Sequence, residues 1–134
     1  VRILLADDQT KVRSALRLVI EQEPGFEVID EVENPNRLLS MIEETQPDVL
    51  LLDWKLLPKD RTHLLQTLKG KFPYLRVIVL STCILDRQKA LSAGAYGFVS
   101  KVDPVETLIQ FLKNLSDDME FKVHTHEKNY ARRN

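Results

Sequence analysis

The feature that most constrains this chain is the alternation of short, uninterrupted apolar runs with helical patterns. Ile3-Leu4-Leu5-Ala6, Val49-Leu50-Leu51-Leu52 and Val77-Ile78-Val79-Leu80 are each continuously apolar and stop at a polar residue. A strand with one face in water alternates apolar and polar residues; an unbroken run indicates burial on both faces, as in a parallel sheet covered by helices. Phe26 to Val32 instead mixes Val28, Ile29 and Val32 with Glu27, Asp30 and Glu31, the pattern of an edge strand. Gly97-Phe98-Val99-Ser100 is a fifth, shorter strand. Between the strands, Val12, Ala15, Leu16, Val19 and Ile20 share one helical stripe, and Val105, Leu108, Ile109, Leu112 and Leu115 repeat it near the C-terminus. Asn34-Pro35 and Asp103-Pro104 each set a good N-cap before a proline at the first helical position. Leu38, Leu39 and Ile42 face inward from a second helix, Leu64, Leu65, Leu68 and Phe72 from a third, and a short fourth closes at Gly94.

This alternation predicts five βα units: β1 2–6, α1 9–22, β2 26–32, α2 35–45, β3 48–53, α3 61–72, β4 76–81, α4 86–93, β5 97–100 and α5 104–116. The expected fold is α/β, a flavodoxin-like (βα)5 three-layer sandwich around a parallel five-stranded sheet of order 2-1-3-4-5. After Ser116 the apolar stripe stops. Residues 1–116 are therefore read as the folded domain, and 117–134, with four acidic and four basic residues, as a polar linker or tail. An extension of α5 through Met119 and Phe121 is the alternative.

Composition removes several function classes. At 134 residues, 43% hydrophobic and 29% charged, the chain suits one soluble globular domain. Nineteen basic residues against twenty acidic ones give a net charge of −1, no broad electrostatic footprint for nucleic acid or anionic membrane. Cys83 is the sole cysteine, so an internal disulfide is excluded, and no Cys/His cluster has zinc-ligand spacing. No apolar run approaches the length of a membrane span and no signal peptide is visible, so a cytoplasmic location is expected. A start at Val1 in place of methionine is read as a processed or excised fragment.

In a sheet of this order the ligand site lies at the carboxyl ends of the strands. Strand 1 ends in Asp7-Asp8, strand 3 in Asp53 and strand 4 in Ser81-Thr82, and strand 5 leads to Lys101. The topology brings all of them to one edge. Three crowded carboxylates repel one another unless a cation sits among them, and hard oxygen ligands with room for water suit Mg²⁺. Mg²⁺ on Asp8 and Asp53, with Asp7 nearby, would also bind phosphate oxygens. A carboxylate there can act as nucleophile on phosphorus, Ser81 can donate to a phosphoryl oxygen, and Lys101 can neutralise developing charge. Each residue singly has a plainer explanation: helix capping for Asp7-Asp8, a turn for Asp53, a loop cap for Ser81-Thr82, a solvated surface for Lys101. Their falling together at the ends of the right strands favours the chemical reading.

On these residues the sequence resembles the receiver domain of two-component response regulators, the CheY-like family. The resemblance covers residues 1–116 and rests on Ile3-Leu4-Leu5-Ala6-Asp7-Asp8, Pro47-Asp48-Val49-Leu50-Leu51-Leu52-Asp53, Val79-Leu80-Ser81-Thr82 and Gly94-Ala95-Tyr96-Gly97-Phe98-Val99-Ser100-Lys101. It implies that Asp53 is the phosphoacceptor, charged by a sensor histidine kinase that docks on the α1 face. It further implies that Asp7, Asp8, Asp53 and the Lys55 backbone carbonyl hold Mg²⁺, that Ser81 is the switch hydroxyl with Thr82 beside it, that Lys101 is the family's lysine, and that Phe98 is the switch aromatic. Lys101-Val102-Asp103-Pro104 is similar to the NarL/FixJ subfamily of transcription factors. The implied protein is a phosphorylation switch controlling a downstream output such as transcription, with a homodimer promoted by phosphorylation. It would not be an enzyme beyond Mg²⁺-dependent autophosphorylation and slow self-dephosphorylation. DNA would be reached only through an output domain absent from this chain, and no membrane contact is implied.

One segment departs from the family. Receivers usually carry a proline four residues after the phosphoacceptor and then a glycine; here position 57 is leucine, Pro58 comes one residue late, and Lys59-Asp60-Arg61-Thr62 has no glycine. A different path for the β3–α3 loop is expected, which leaves a phosphate-independent interaction module as the alternative function. Cys83, after the hydroxyl pair, is expected to be a half-buried small apolar residue. An Mg²⁺-dependent phosphohydrolase ranks last, because position 55, where such enzymes place a second acid, is lysine.

Overall fold

The computed structural model describes the backbone of residues 1–133 and the side chains of residues 1–119. In chain order the elements are β1 (Arg2–Ala6), α1 (Thr10–Glu21), β2 (Glu27–Val32), a 3₁₀ turn (Pro35–Arg37) leading into α2 (Leu38–Thr45), β3 (Val49–Asp53), a second 3₁₀ turn (Trp54–Leu56), α3 (Arg61–Lys71), β4 (Arg76–Ser81), α4 (Asp86–Ser92), β5 (Gly97–Ser100) and α5 (Val105–Arg133). The sheet is parallel throughout, in the order β2-β1-β3-β4-β5, the flavodoxin-like arrangement expected.

The unbroken apolar runs are explained by what covers them. Leu4, Ala6, Leu50, Leu52, Val77 and Val79 share one buried cluster with Leu38 and Ile42 of α2, Leu65 and Leu68 of α3 and Ala90 of α4. Their strand neighbours Ile3, Leu5, Leu51 and Ile78 are equally buried, and the period of two sends them to the opposite face. β2, at the edge, is less completely covered, with Val28 and Val32 buried, Ile29, Asp30 and Glu31 partly buried and Glu27 exposed.

Local signals act as anticipated at two helix ends. Asn34 Oδ1 accepts from the Asn36 amide at 2.9 Å, and the proline that follows opens a turn of the tighter 3₁₀ type before α2 proper. α4 closes at Gly94 with φ +112°: the Ala95 amide bonds to the Ala90 carbonyl and the Gly94 amide to the Leu91 carbonyl, a Schellman closure.

Two expectations are corrected. On α1 the stripe is displaced: Ala15 is exposed, whereas Arg13 is buried along with Ile20. The chain's α5 does not stop at Ser116 but runs from Val105 to Arg133. Residues 117–133 contain neither glycine nor proline, so helix persists on backbone preference after the apolar stripe has ended. Leu108, Ile109, Leu112 and Leu115 are buried, as the stripe predicted. Side chains beyond Met119, including most of the segment read as linker or tail, lie outside the described residues.

Candidate functional site

Strand register assembles the site. Ala6 lies opposite Leu52, Asp53 opposite Leu80 and Ser81 opposite Ser100, so the residues ending these strands lie side by side along one edge. The Asp7 amide still bonds to the Val32 carbonyl at 3.0 Å, and the Lys101 amide to the Ser81 carbonyl at 2.8 Å, which carries the sheet's order one residue into the site.

Asp7 and Asp53 are each only 3% exposed, whereas Asp8 faces solvent. Carboxylate oxygens of all three lie within 4.8 Å of one another. Lys101 Nζ sits between two of them, 2.9 Å from Asp7 Oδ2 and 3.2 Å from Asp53 Oδ2. Asp7 Oδ1 accepts from the Gln9 amide at 2.9 Å, and Asp53 Oδ1 from the Lys55 amide at 3.2 Å. Burial works against the Lys101 charge, but the hydrogen bond to Asp7, the fields of Asp53 and Asp7, and the bond to Asp53 outweigh it and hold its pKa above the ordinary lysine value. Three carboxylates against one ammonium still leave the cleft net negative. Hard oxygen donors, two buried and one open to water, fit Mg²⁺ and not a soft or nitrogen-seeking metal.

The remaining expected residues are placed less uniformly. Ser81 is fully buried, and its hydroxyl donates to Asp86 Oδ2 at 2.7 Å while accepting from the Cys83 amide at 3.1 Å. Thr82 is exposed. Phe98 is half-buried against the α2–α4 side of the core. Lys55 has an exposed side chain, and its amide is the part that meets Asp53. Cys83 is exposed, not half-buried, because the β4–α4 loop turns outward immediately after Ser81. In the unusual β3–α3 loop, Trp54, Leu56 and Leu57 are all buried, and the Arg61 guanidinium lies 5.9 Å from the Trp54 ring centroid.

Two polar residues of the site's surroundings escaped the sequence reading. Arg13 Nη1 donates to the Asp7 carbonyl at 2.6 Å, with Nε on Glu31 Oε1 at 3.1 Å and Nη2 on Glu33 Oε2 at 3.5 Å. Asp86, the first residue of α4, holds Ser81. Arg13 left only a faint trace, a charge interrupting an apolar stripe one turn after Asp8-Gln9; Asp86 left none, since an acid in the first turn of a helix has its own local explanation.

Among the described residues no helix is long and apolar enough to cross a membrane. The family model for the response regulator receiver domain matches residues 3–124. A protein-glutamate methylesterase/protein-glutamine glutaminase of Caldanaerobacter subterraneus subsp. tengcongensis is 32% identical over 126 residues, covering 92% of this chain and 34% of the relative. The transcriptional regulatory protein DegU of Brevibacillus brevis is 27% identical over 117 residues, covering 84% of this chain and 49% of the relative. The chain thus spans between a third and a half of these relatives' lengths. The crystal structure of a LuxR-family two-component response regulator from an Aurantimonas species superposes with a TM-score of 0.78 at 27% identity, covering 85% of this chain and 83% of that one. The chain belongs to the response regulator receiver domain family of two-component signalling.

Proposed function

We propose that this receiver domain is a phosphorylation switch whose acceptor is Asp53, supplied by the phosphohistidine of a sensor histidine kinase. The observation that carries the reading is the ammonium of Lys101 set between buried Asp7 and Asp53, with Asp8 open to water beside them. Asp7, Asp8, Asp53 and the Lys55 backbone carbonyl would hold Mg²⁺, which when bound supplies positive charge to the phosphoryl oxygens. An Asp53 carboxylate oxygen forms the new bond to phosphorus as the bond to the donor breaks, and the donor leaves with that electron pair. Lys101, already close to Asp53, balances the charge that the phosphoryl group adds, about −1.5 to −2 at neutral pH. Ser81 donates to a phosphoryl oxygen, with exposed Thr82 beside it, and Phe98 repacks against the core when Ser81 moves.

The domain acts in the cytoplasm and has no catalytic turnover of its own beyond acquiring and slowly losing the phosphoryl group. Phosphorylation promotes a homodimer, and the output it controls is transcription, through a DNA-binding domain. The similarity to DegU and to the LuxR-family regulator supports that output; the methylesterase relative supports the other class, an enzymatic output domain.

Intact-mass measurement after incubation with acetyl phosphate tests the core of this reading. One phosphoryl adduct is expected, lost when Mg²⁺ is omitted and lost in Asp53→Asn. No adduct, together with no beryllofluoride complex, would sink it in favour of a phosphate-independent interaction module.

A further inference from the structure

We propose that Asp86 is the resting partner of the Ser81 hydroxyl, a positioning residue that must be displaced before Ser81 can serve a phosphoryl group on Asp53. The inference deepens the proposed function and rests on it.

A serine hydroxyl carries one proton. In this structure that proton is committed: Ser81 Oγ donates to Asp86 Oδ2 at 2.7 Å, a distance in the short range of charge-assisted O–H···O⁻ bonds. The oxygen is engaged as well, accepting from the Cys83 amide at 3.1 Å. Ser81 is 0% exposed, so its hydroxyl is shielded from water. Asp86 is held in turn: its amide bonds to the Cys83 carbonyl at 3.1 Å, and it opens α4. Residues 81–86 therefore form a closed ring of hydrogen bonds with the hydroxyl at its centre. A phosphoryl oxygen at Asp53 and the Asp86 carboxylate would compete for the same proton. If the phosphoryl group wins, the carboxylate at the start of α4 loses its partner, and the exposed apolar pair Ile84 and Leu85 in the same loop is released from the ring.

A thermodynamic cycle on beryllofluoride affinity, measured calorimetrically with Mg²⁺ present, tests this. Wild type, D86A, D86N, S81A and S81A/D86A are compared, with each variant's melting transition as the check of folding. Removing a competing hydrogen bond to a charged group should tighten binding by D86A roughly tenfold or more. D86N should tighten it less, because the amide oxygen still accepts from Ser81. S81A should weaken binding, and D86A should tighten it far less in the S81A background than in the wild type. Removal of a nearby negative charge would by itself favour an anion, and that effect does not need the hydroxyl. Equal tightening by D86A in the wild-type and S81A backgrounds would therefore overturn the proposal, as would unchanged or weaker binding by a folded D86A. Should D86A fail to fold, unchanged affinity in D86N has the same force. A wild type that binds no beryllofluoride refutes the proposed function and the displacement together; a wild type that binds while D86N and D86A match it refutes the displacement alone.

Discussion

Lys101 does part of what a metal cation would do. Its ammonium separates two carboxylates that are almost wholly buried. Replacing it by methionine strands those charges, so Lys101→Met should melt below wild type without Mg²⁺ and gain more than wild type when Mg²⁺ is added. Equal gains in a thermal-shift titration would remove Lys101 from this role. The pH dependence has a definite sign. The folded pKa is raised, so the stabilisation is fully present below the ordinary lysine value of about 10.4 and is lost as pH climbs through the higher folded value. Asp8 offers a cleaner perturbation, being exposed and unpaired with Lys101. Asp8→Asn should abolish most of the Mg²⁺-induced change in Trp54 fluorescence, since Trp54 directly follows Asp53 and is 2% exposed. A full response in that variant would remove Asp8 from the metal site.

At the scale of elements, the ends of helices and strands decide where the site residues point. α4 turns back to β5 through Gly94 at φ +112°, and an added Cβ would come 2.8 Å from Cδ of Lys69. The lysine tip can move aside; the backbone angle cannot be accommodated as easily by an L-residue. Gly94→Ala should cost about 1 kcal/mol or more, a fall of roughly 3–6 °C in Tm. An unchanged Tm would mean that the α4–β5 turn relaxes freely. Arg13 ties the first turn of α1 to the end of β1 and to Glu31 on β2. Arg13→Met should destabilise the fold by about 1.5–3 kcal/mol, read from urea unfolding. The sequence disclosed α4's end because glycine at C′ is a local signal. It concealed Arg13 because the partners that make its burial tolerable, Glu31 and Glu33, lie on the far side of a crossover.

For the whole molecule, the same distinction separates what could be read in advance from what could not. Runs such as Val49–Leu52 announce two covered faces, and the order of five strands follows from handed crossovers and short connections. Asp7, Asp53 and Lys101 were legible because strand ends share an edge. The Ser81–Asp86 bond was not, because nothing in an acid at a helix start says which hydroxyl it will meet. The full length of α5 is hidden in the sequence for a related reason: an apolar stripe reports burial, and Asp117 to Arg133 stays helical without one. Because binding to the native cleft alone pulls the folding equilibrium, Mg²⁺ at ten times its dissociation constant should stabilise the protein by about 1.4 kcal/mol. EDTA should reverse the gain. A denaturant midpoint indifferent to both would argue against an ion in the acidic cleft.

The bond from Lys101 to Asp7 spans 94 positions of the chain. It joins the end of β1 to the residue just after β5. A nascent chain that has not yet exposed Lys101 carries all three aspartates with no ammonium to separate them, and its sheet lacks β5. The ammonium therefore reaches the two buried carboxylates only once β5 has docked beside β4. The charge pair thus ties the acidic cleft to a completed sheet: a chain whose β5 has not docked lacks the counter-ion of its two buried aspartates.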